Sequence, residues 1–210
     1  MSYAVKEMFF TFQGEGAMTG RAAVFVRFAG CNLWSGLEKD RAAAVCKFCD
    51  TDFVGTDGVN GAKYETARDV AEKAGALWPG ASGNKLIVCT GGEPLLQLDG
   101  ALIDAFHEQG FKIAVETNGT ITAPKSLDWV TVSPKADAKL VQATGDELKL
   151  VYPQVENKPE DFEGLDFKVF SLQPCDGPEL TQNIAKTLAF CARHPKWRVS
   201  LQAHKYWGIP

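Results

Sequence analysis

Seven apolar, β-branched runs, each closing on a polar or glycine-rich turn, constrain the fold of this chain more than any other feature. They occupy residues 22–28, 85–90, 112–116, 129–133, 147–152, 167–173 and 198–202 and read as core strands. Residues 66–78, 95–109 and 179–194 instead carry apolar side chains at three- and four-residue steps, the spacing of an amphipathic helix. Alternating strands and helices predict an α/β fold with a mostly parallel sheet and helices on its outer face. Seven strands with few helices fall short of a closed eightfold barrel, so a modified, incomplete (β/α) barrel is expected. At 210 residues, with no internal repeat or linker, the chain suits one domain spanning residues 1–210.

Composition narrows the function classes. The 22 basic and 26 acidic side chains give a net charge of -4, and no dense Lys/Arg run appears, so nucleic acid is not an expected partner. No apolar stretch approaches the roughly 20 residues that span a bilayer, and the start MSYAVKEMFF lacks the pattern of an export signal. No membrane association is expected, and a cytoplasmic location is. There thiols stay reduced, so the six cysteines point to metal or redox roles rather than disulfides.

The long irregular segment from residue 30 to 63 holds three of them, Cys31, Cys46 and Cys49. A loop beyond about 12 to 15 residues in a compact domain is usually functional or disordered, and three ligand-type residues favour function. The two-residue gap of Cys46-Lys47-Phe48-Cys49 lets both thiolates reach one metal centre, with Cys31 as a third ligand from the end of the first run. Three sulfurs leave one coordination position open, as at catalytic centres. A structural zinc site closed by a His or Asp is the competing reading.

Ligands of parallel α/β sheets bind beyond the carboxyl ends of the strands. The residues there are strongly polar: Cys31; Thr90-Gly91-Gly92-Glu93-Pro94; Glu116-Thr117-Asn118-Gly119; Ser133-Pro134-Lys135; Gln173-Pro174-Cys175-Asp176; and His204-Lys205. The paired glycines allow close backbone approach to a ligand. Glu93 is able to accept hydrogen bonds from an ammonium group and Glu116 from ribose hydroxyls. The plainer readings are a tight strand-to-helix turn at Glu93 and a turn cap at Glu116. Cys89 and Cys191 read as core thiols, whereas Cys175 is undecided. His107 and His194 read as surface or capping groups.

The cysteine cluster followed by Gly91-Gly92-Glu93-Pro94 resembles the radical S-adenosylmethionine superfamily across almost the whole chain. That resemblance implies the superfamily's incomplete barrel and a 4Fe-4S cluster on Cys31, Cys46 and Cys49, with the vacant iron binding the amino and carboxylate groups of S-adenosylmethionine. The sequence departs from the usual motif in that fourteen residues, rather than three, separate Cys31 from Cys46.

A finer resemblance rests on Phe12-Gln13-Gly14-Glu15-Gly16, Arg27, Cys49-Asp50-Thr51 and Gln202-Ala203-His204-Lys205. Together these are similar to the 7-carboxy-7-deazaguanine synthase family of the queuosine pathway, some of whose members carry such a spacer. The resemblance implies conversion of 6-carboxy-5,6,7,8-tetrahydropterin to 7-carboxy-7-deazaguanine with loss of ammonia, begun when a 5'-deoxyadenosyl radical takes hydrogen from C6 of the pterin. It places substrate contacts at Phe12, Gln13, Gly14, Glu15, Arg27, Thr90, His204 and Pro210. Cofactor contacts fall at Phe48, Asp50, Gly92, Glu93, Glu116, Ser133, Pro134, Lys135, Gln173, Pro174, Cys175 and Asp176. Mg2+ falls at Thr51. An electron donor such as flavodoxin or ferredoxin and a homodimer are also implied.

The chemistry of these residues suits such roles. The planar fork of Arg27 fits a substrate carboxylate, Gln13 with the Gly14 backbone fits a pterin edge, and a folded-back α-carboxylate of Pro210 would accept from a pterin amine. The plainer readings are a partly buried ion pair for Arg27 and a hairpin turn for residues 12–14. One hydroxyl at Thr51 compensates little charge, so substrate oxygens and waters would complete the Mg2+ octahedron. A radical enzyme that activates a protein partner is the other reading of the cysteine motif, and Phe12–Gly16 argues for the small-molecule enzyme.

Overall fold

A computed structural model describes residues 2–80 and 83–210. The strands are β1 Tyr3–Phe12, β2 Ala22–Phe28, β3 Ala62–Tyr64, β4 Lys85–Gly91, β5 Phe111–Thr117, β6 Trp129–Val132, β7 Thr144–Tyr152, β8 Asp166–Pro174 and β9 Trp197–Val199. The helices are α1 Ala67–Leu77, α2 Gly100–Glu108, α3 Leu180–Arg193 and α4 Ala203–Trp207. All strands join one sheet in the order β3-β1-β2-β4-β5-β6-β7-β8-β9. Pairing is parallel from β2 through β9, and β1 runs antiparallel to both β2 and β3. The order ends on β3 and β9 without pairing them, the open barrel expected from too few helices.

The period-two alternation of each strand sorts its side chains between two faces. Val24, Val26 and Phe28 of β2, Ile87 and Cys89 of β4 and Ile113 and Val115 of β5 turn toward Val70 and Ala74 of α1 and Leu102, Ile103 and Phe106 of α2, all fully buried. Leu148, Leu150 and Leu172 pack with Phe190 of α3. Truncating Ile113 or Leu150 to alanine would cost about 2–5 kcal/mol in lost burial and residual cavity. The opposite face begins with the small cluster Ala23, Leu86, Val88 and Ala114. Two residues further along the same strands stand Phe25, Thr90 and Glu116, so polarity rises toward the strands' carboxyl ends.

Helix boundaries follow from caps. Thr66 and Asp69 form a reciprocal capping box at the start of α1, satisfying two otherwise orphaned N–H groups. The pattern over 95–109 predicts one helix, but α2 begins only at Gly100. Pro94 confines residues 94–96 to a 3₁₀ turn, and the Asp99 carboxylate accepts from Leu102 N–H and the Tyr3 hydroxyl. The strand expected over 198–202 is shifted: β9 ends at Val199, and His204 lies on the short α4 rather than at a strand end.

The expected set of strands lacks β1 and β3. A register shift between Val5 and Glu7 interrupts the alternation of β1, as a bulge does, and buries Lys6. Its ammonium donates to the Val54 carbonyl and pairs with Asp57 at 2.7 Å and Asp52 at 2.9 Å. A bulged lysine inside an apolar run hides the strand signal, and the same lysine ties β1 to the irregular segment. Among the described residues no helix is long and apolar enough to cross a membrane.

Candidate active site

A cavity of about 420 Å³ opens on the polar end of the sheet's inner face, within the size range of small-ligand sites. Register explains how remote residues meet there. Glu7 of β1 pairs across from Arg27 of β2, and Arg27 from Thr90 of β4. One step down the same face, the Phe9 and Phe25 rings stack at 5.8 Å. Glu116 of β5, Lys149 of β7 and Gln173 of β8 complete the inner wall.

The irregular segment forms the roof. Gly30 N–H donates to the Phe53 carbonyl, and the N–H groups of Val45 and Cys46 converge on the Leu33 carbonyl. Trp34 packs edge-on against Phe53, ring centroids 5.6 Å apart. These contacts bring Cys31, Cys46 and Cys49, all free thiols, to one cavity wall. Gly92 makes that possible. A Cβ there would stand 2.0 Å from the Gly30 carbonyl oxygen and 2.9 Å from Cys31 Cβ. The close backbone approach foreseen for the glycine pair is thus first an approach of the chain to itself, which seats the Cys31 turn on the end of β4.

Among the described residues no three His, Cys, Asp or Glu side chains are placed to hold a single metal ion. The free thiols of Cys31, Cys46 and Cys49 line one cavity and are the donor type that would hold an iron-sulfur cluster. Burial pushes the Cys31 and Cys46 thiols up from their usual values.

Every residue expected to contact ligand or metal lines this cavity except two. Glu93 is fully buried behind the wall. Its carboxylate accepts from Leu95 N–H at 3.0 Å, the Thr117 hydroxyl at 2.8 Å and Asn118 N–H at 2.8 Å. It braces the ends of β4 and β5 instead of presenting itself to a ligand ammonium. Pro134 is likewise buried away from the cavity, its carbonyl facing the amides of Gln154 and Asn157.

Sequence patterns missed the group at the floor. Lys149, 4% exposed at its side chain, pairs with Glu116 at 2.7 Å and with Glu15. Gln13 donates to Glu116 at 2.8 Å, and Gln202 to Glu15 at 3.1 Å. Burial alone would raise the Glu15 carboxyl, but the Lys149 ammonium and the Gln202 amide outweigh it and hold the group well below the usual carboxylate range. Glu116, expected to reach a ribose, thus stands with Gln13 and Glu15. A lysine in the apolar run 147–152 reads as a strand residue, and only the register shows two carboxylates facing it.

Arg27 uses its Nε on Glu7 at 2.7 Å. Among the described residues its terminal nitrogens make no hydrogen bond, so they remain for an anion in the cavity. The ion pair and the carboxylate fork are compatible readings of one residue. Lys135 donates to the carbonyl and hydroxyl of Ser133 and stands 6.0 Å from the Phe48 ring. Burial lowers its affinity for a proton.

The C-terminal residues close the far side. Ala203 N–H donates to the Gly14 carbonyl, and the Pro210 carbonyl accepts from the Thr11 hydroxyl at 3.0 Å. Burial lowers the His204 imidazole's proton affinity despite nearby Glu15. Lys205 bridges Asp50 of the roof, at 3.1 Å, and Asp176 at the end of β8, at 2.6 Å. Cys175 lines the cavity beside Asp176.

No family model matches the chain. It is 61% identical over 210 residues to the 7-carboxy-7-deazaguanine synthase of Caulobacter vibrioides and 62% identical over 209 residues to that of Bradyrhizobium diazoefficiens, covering 100% of each chain in both pairs. The chain belongs to the 7-carboxy-7-deazaguanine synthase family. The structure of QueE from Escherichia coli superposes with a TM-score of 0.73 at 27% identity, over 97% of this chain and 95% of that one. The synthase fold accordingly tolerates wide sequence change, and the incomplete barrel of this radical S-adenosylmethionine family is the architecture of both. Membership implies a 4Fe-4S cluster and S-adenosylmethionine, which the free thiol trio accommodates.

Proposed function

We propose that this chain converts 6-carboxy-5,6,7,8-tetrahydropterin to 7-carboxy-7-deazaguanine with release of ammonia. The carrying observation is one cavity that joins the cysteine trio to Arg27 and to the Gln13, Glu15 and Glu116 array. Cys31, Cys46 and Cys49 would hold the 4Fe-4S cluster. When bound, cluster and S-adenosylmethionine supply a one-electron cleavage that yields the hydrogen-abstracting radical.

The chain's own residues bind, orient and shield. Arg27, held by Glu7, presents its free nitrogens to the substrate carboxylate. Glu15, kept ionised by Lys149, and Glu116, paired with the same ammonium, accept hydrogen bonds from the N–H edge of the pterin. Phe9 and Phe25 give the ring an apolar wall. Phe48, Asp50, Gly92, Ser133, Lys135 and residues 173–176 line the part of the cavity left for S-adenosylmethionine. Closure by Lys205 and the C-terminal residues excludes water from reactive intermediates.

Mg2+ is assigned to the wall at Thr51, completed by substrate oxygens and waters, since Asp52 is already engaged by Lys6. The electron donor is a low-potential carrier such as flavodoxin or ferredoxin. A homodimer is the assembly read here, favoured by apolar exposure at Val199, Leu201 and Trp207 beside edge strand β9. The test is product analysis with anaerobic, cluster-loaded protein, S-adenosylmethionine, Mg2+ and carboxytetrahydropterin. Formation of carboxydeazaguanine and ammonia is expected. A brown, cofactor-cleaving protein that leaves the pterin unchanged would overturn the assignment.

A further inference from the structure

The fourteen residues between Cys31 and Cys46 carry their own anchor. Arg41, in the 3₁₀ segment Glu38–Ala43, lies with its guanidinium carbon 4.0 Å from the centroid of the buried Trp34 ring. One terminal nitrogen donates to the Lys47 carbonyl at 3.0 Å and the Cys49 carbonyl at 3.1 Å. These two carbonyls bracket the turn that spaces the second and third cysteines. The remaining nitrogens are held by Glu38, the Nε at 2.8 Å from Oε2. Trp34, packed on Phe53, thus supports a cation that grips the cysteine turn from outside.

We propose that Arg41 is a positioning residue for the iron-sulfur cluster, through which the long spacer both shapes the Cys46–Cys49 turn and sets the ease of cluster reduction. The inference rests on the cluster reading of the cysteine trio and goes beyond it. Two physical effects act together. The double carbonyl bond limits the conformations of the turn and so the loss of iron. A fixed positive charge beside thiolate ligands favours the reduced, more negative cluster, because potential follows local charge and hydrogen bonding. Glu38 opposes that field from the solvent side, where it is far more exposed than Arg41. The bond to the Cys49 carbonyl places the guanidinium charge at the backbone of one of the three cysteines.

The experiment compares wild type, Arg41→Met, Arg41→Lys and Glu38→Gln after anaerobic reconstitution. Iron content, release of iron to a chelator and the midpoint potential by EPR-monitored titration are measured without turnover. Arg41→Met is expected to make reduction about three- to tenfold less favourable, tenfold being 59 mV for one electron, and to release iron several-fold faster. Glu38→Gln is expected to shift the potential the opposite way. Arg41→Lys keeps the charge without the planar fork, so its potential stays near wild type while iron release quickens. Unchanged potentials and release rates across the four proteins would overturn the proposal, as would Arg41→Met and Glu38→Gln shifting in the same direction. Should Arg41→Met not fold, the raised potential of Glu38→Gln and the faster iron release from Arg41→Lys at unchanged potential still decide, and the absence of both would overturn the proposal. A wild type that binds no iron would instead refute the cluster reading itself.

Discussion

The Lys149 ammonium lies 2.7 Å from a carboxylate oxygen of Glu116, and the same nitrogen also pairs with Glu15. One buried cation therefore holds two acidic groups that come from the loop after β1 and from the end of β5. Without it, two carboxylates would share one cavity floor and compete for a proton.

Lys149→Met should destabilise the protein by about 3–5 kcal/mol at neutral pH, the usual cost of orphaning buried charges. The sign of the pH dependence is diagnostic. Glu15 has a depressed folded-state pKa, so its contribution is full above the ordinary carboxylate value near about 4.3 and disappears as pH falls through the lower folded value. Lys149 has a raised one, so its contribution is full below about 10.4 and is lost only at more alkaline pH. Wild type should lose stability on acidification below about pH 4.3, whereas the variant should first gain stability as pH falls toward about 5, where the crowded carboxylates take up a proton. Thermal melting across pH measures both slopes, and parallel slopes would show that the lysine does not control the pair.

Replacing Cys31, Cys46 or Cys49 by alanine should each abolish iron-dependent colour and turnover while leaving the far-ultraviolet circular dichroism unchanged. Cys191→Ala should retain both, since that thiol packs beside the core around Phe190. Iron analysis with activity checks this, and full activity in any of the three would remove that cysteine from the ligand set.

Arg27→Met should raise KM for the carboxylated pterin about tenfold to a hundredfold, matching about 1.5–3 kcal/mol for hydrogen bonds to a charged group. Glu7→Gln should raise it less, because Glu7 touches only the Nε of Arg27 and orients the fork. Steady-state kinetics on both variants provide the comparison. A Glu7 effect larger than that of Arg27 would mean the ion pair serves the fold rather than the substrate.

Gly14→Ala should cost activity more than stability. A Cβ there would fall 2.3 Å from His204 Nδ1 and 2.7 Å from His204 N, forcing α4 and its contacts to Glu15 and Asp50 outward. Displacement by about 1 Å at an active site costs on the order of a hundredfold in rate. A kcat near wild type with unaltered melting would show that the C-terminal residues do not shape the site.

By itself, the sequence determined the apolar, β-branched runs that become β2 and β4 to β8, the helices α1 and α3, and the thiol spacing that leaves room for a cluster. Local composition carries those signals, because strand and helix periodicities and the Cys46–Cys49 gap each lie within a few residues. Tertiary structure alone decided that a bulged Lys6 belongs to a strand, that Glu93 braces the wall from behind, and that Lys149 faces Glu15 and Glu116. Each depends on partners remote in sequence, between 33 and 134 residues away for Lys149 and 46 or more for Lys6, whose approach is set by sheet order and register. The same is true of Gly92. Its lack of a side chain is visible in the sequence, but that the space is filled by Gly30 and Cys31 of the same chain is decided only where β2 lies beside β4.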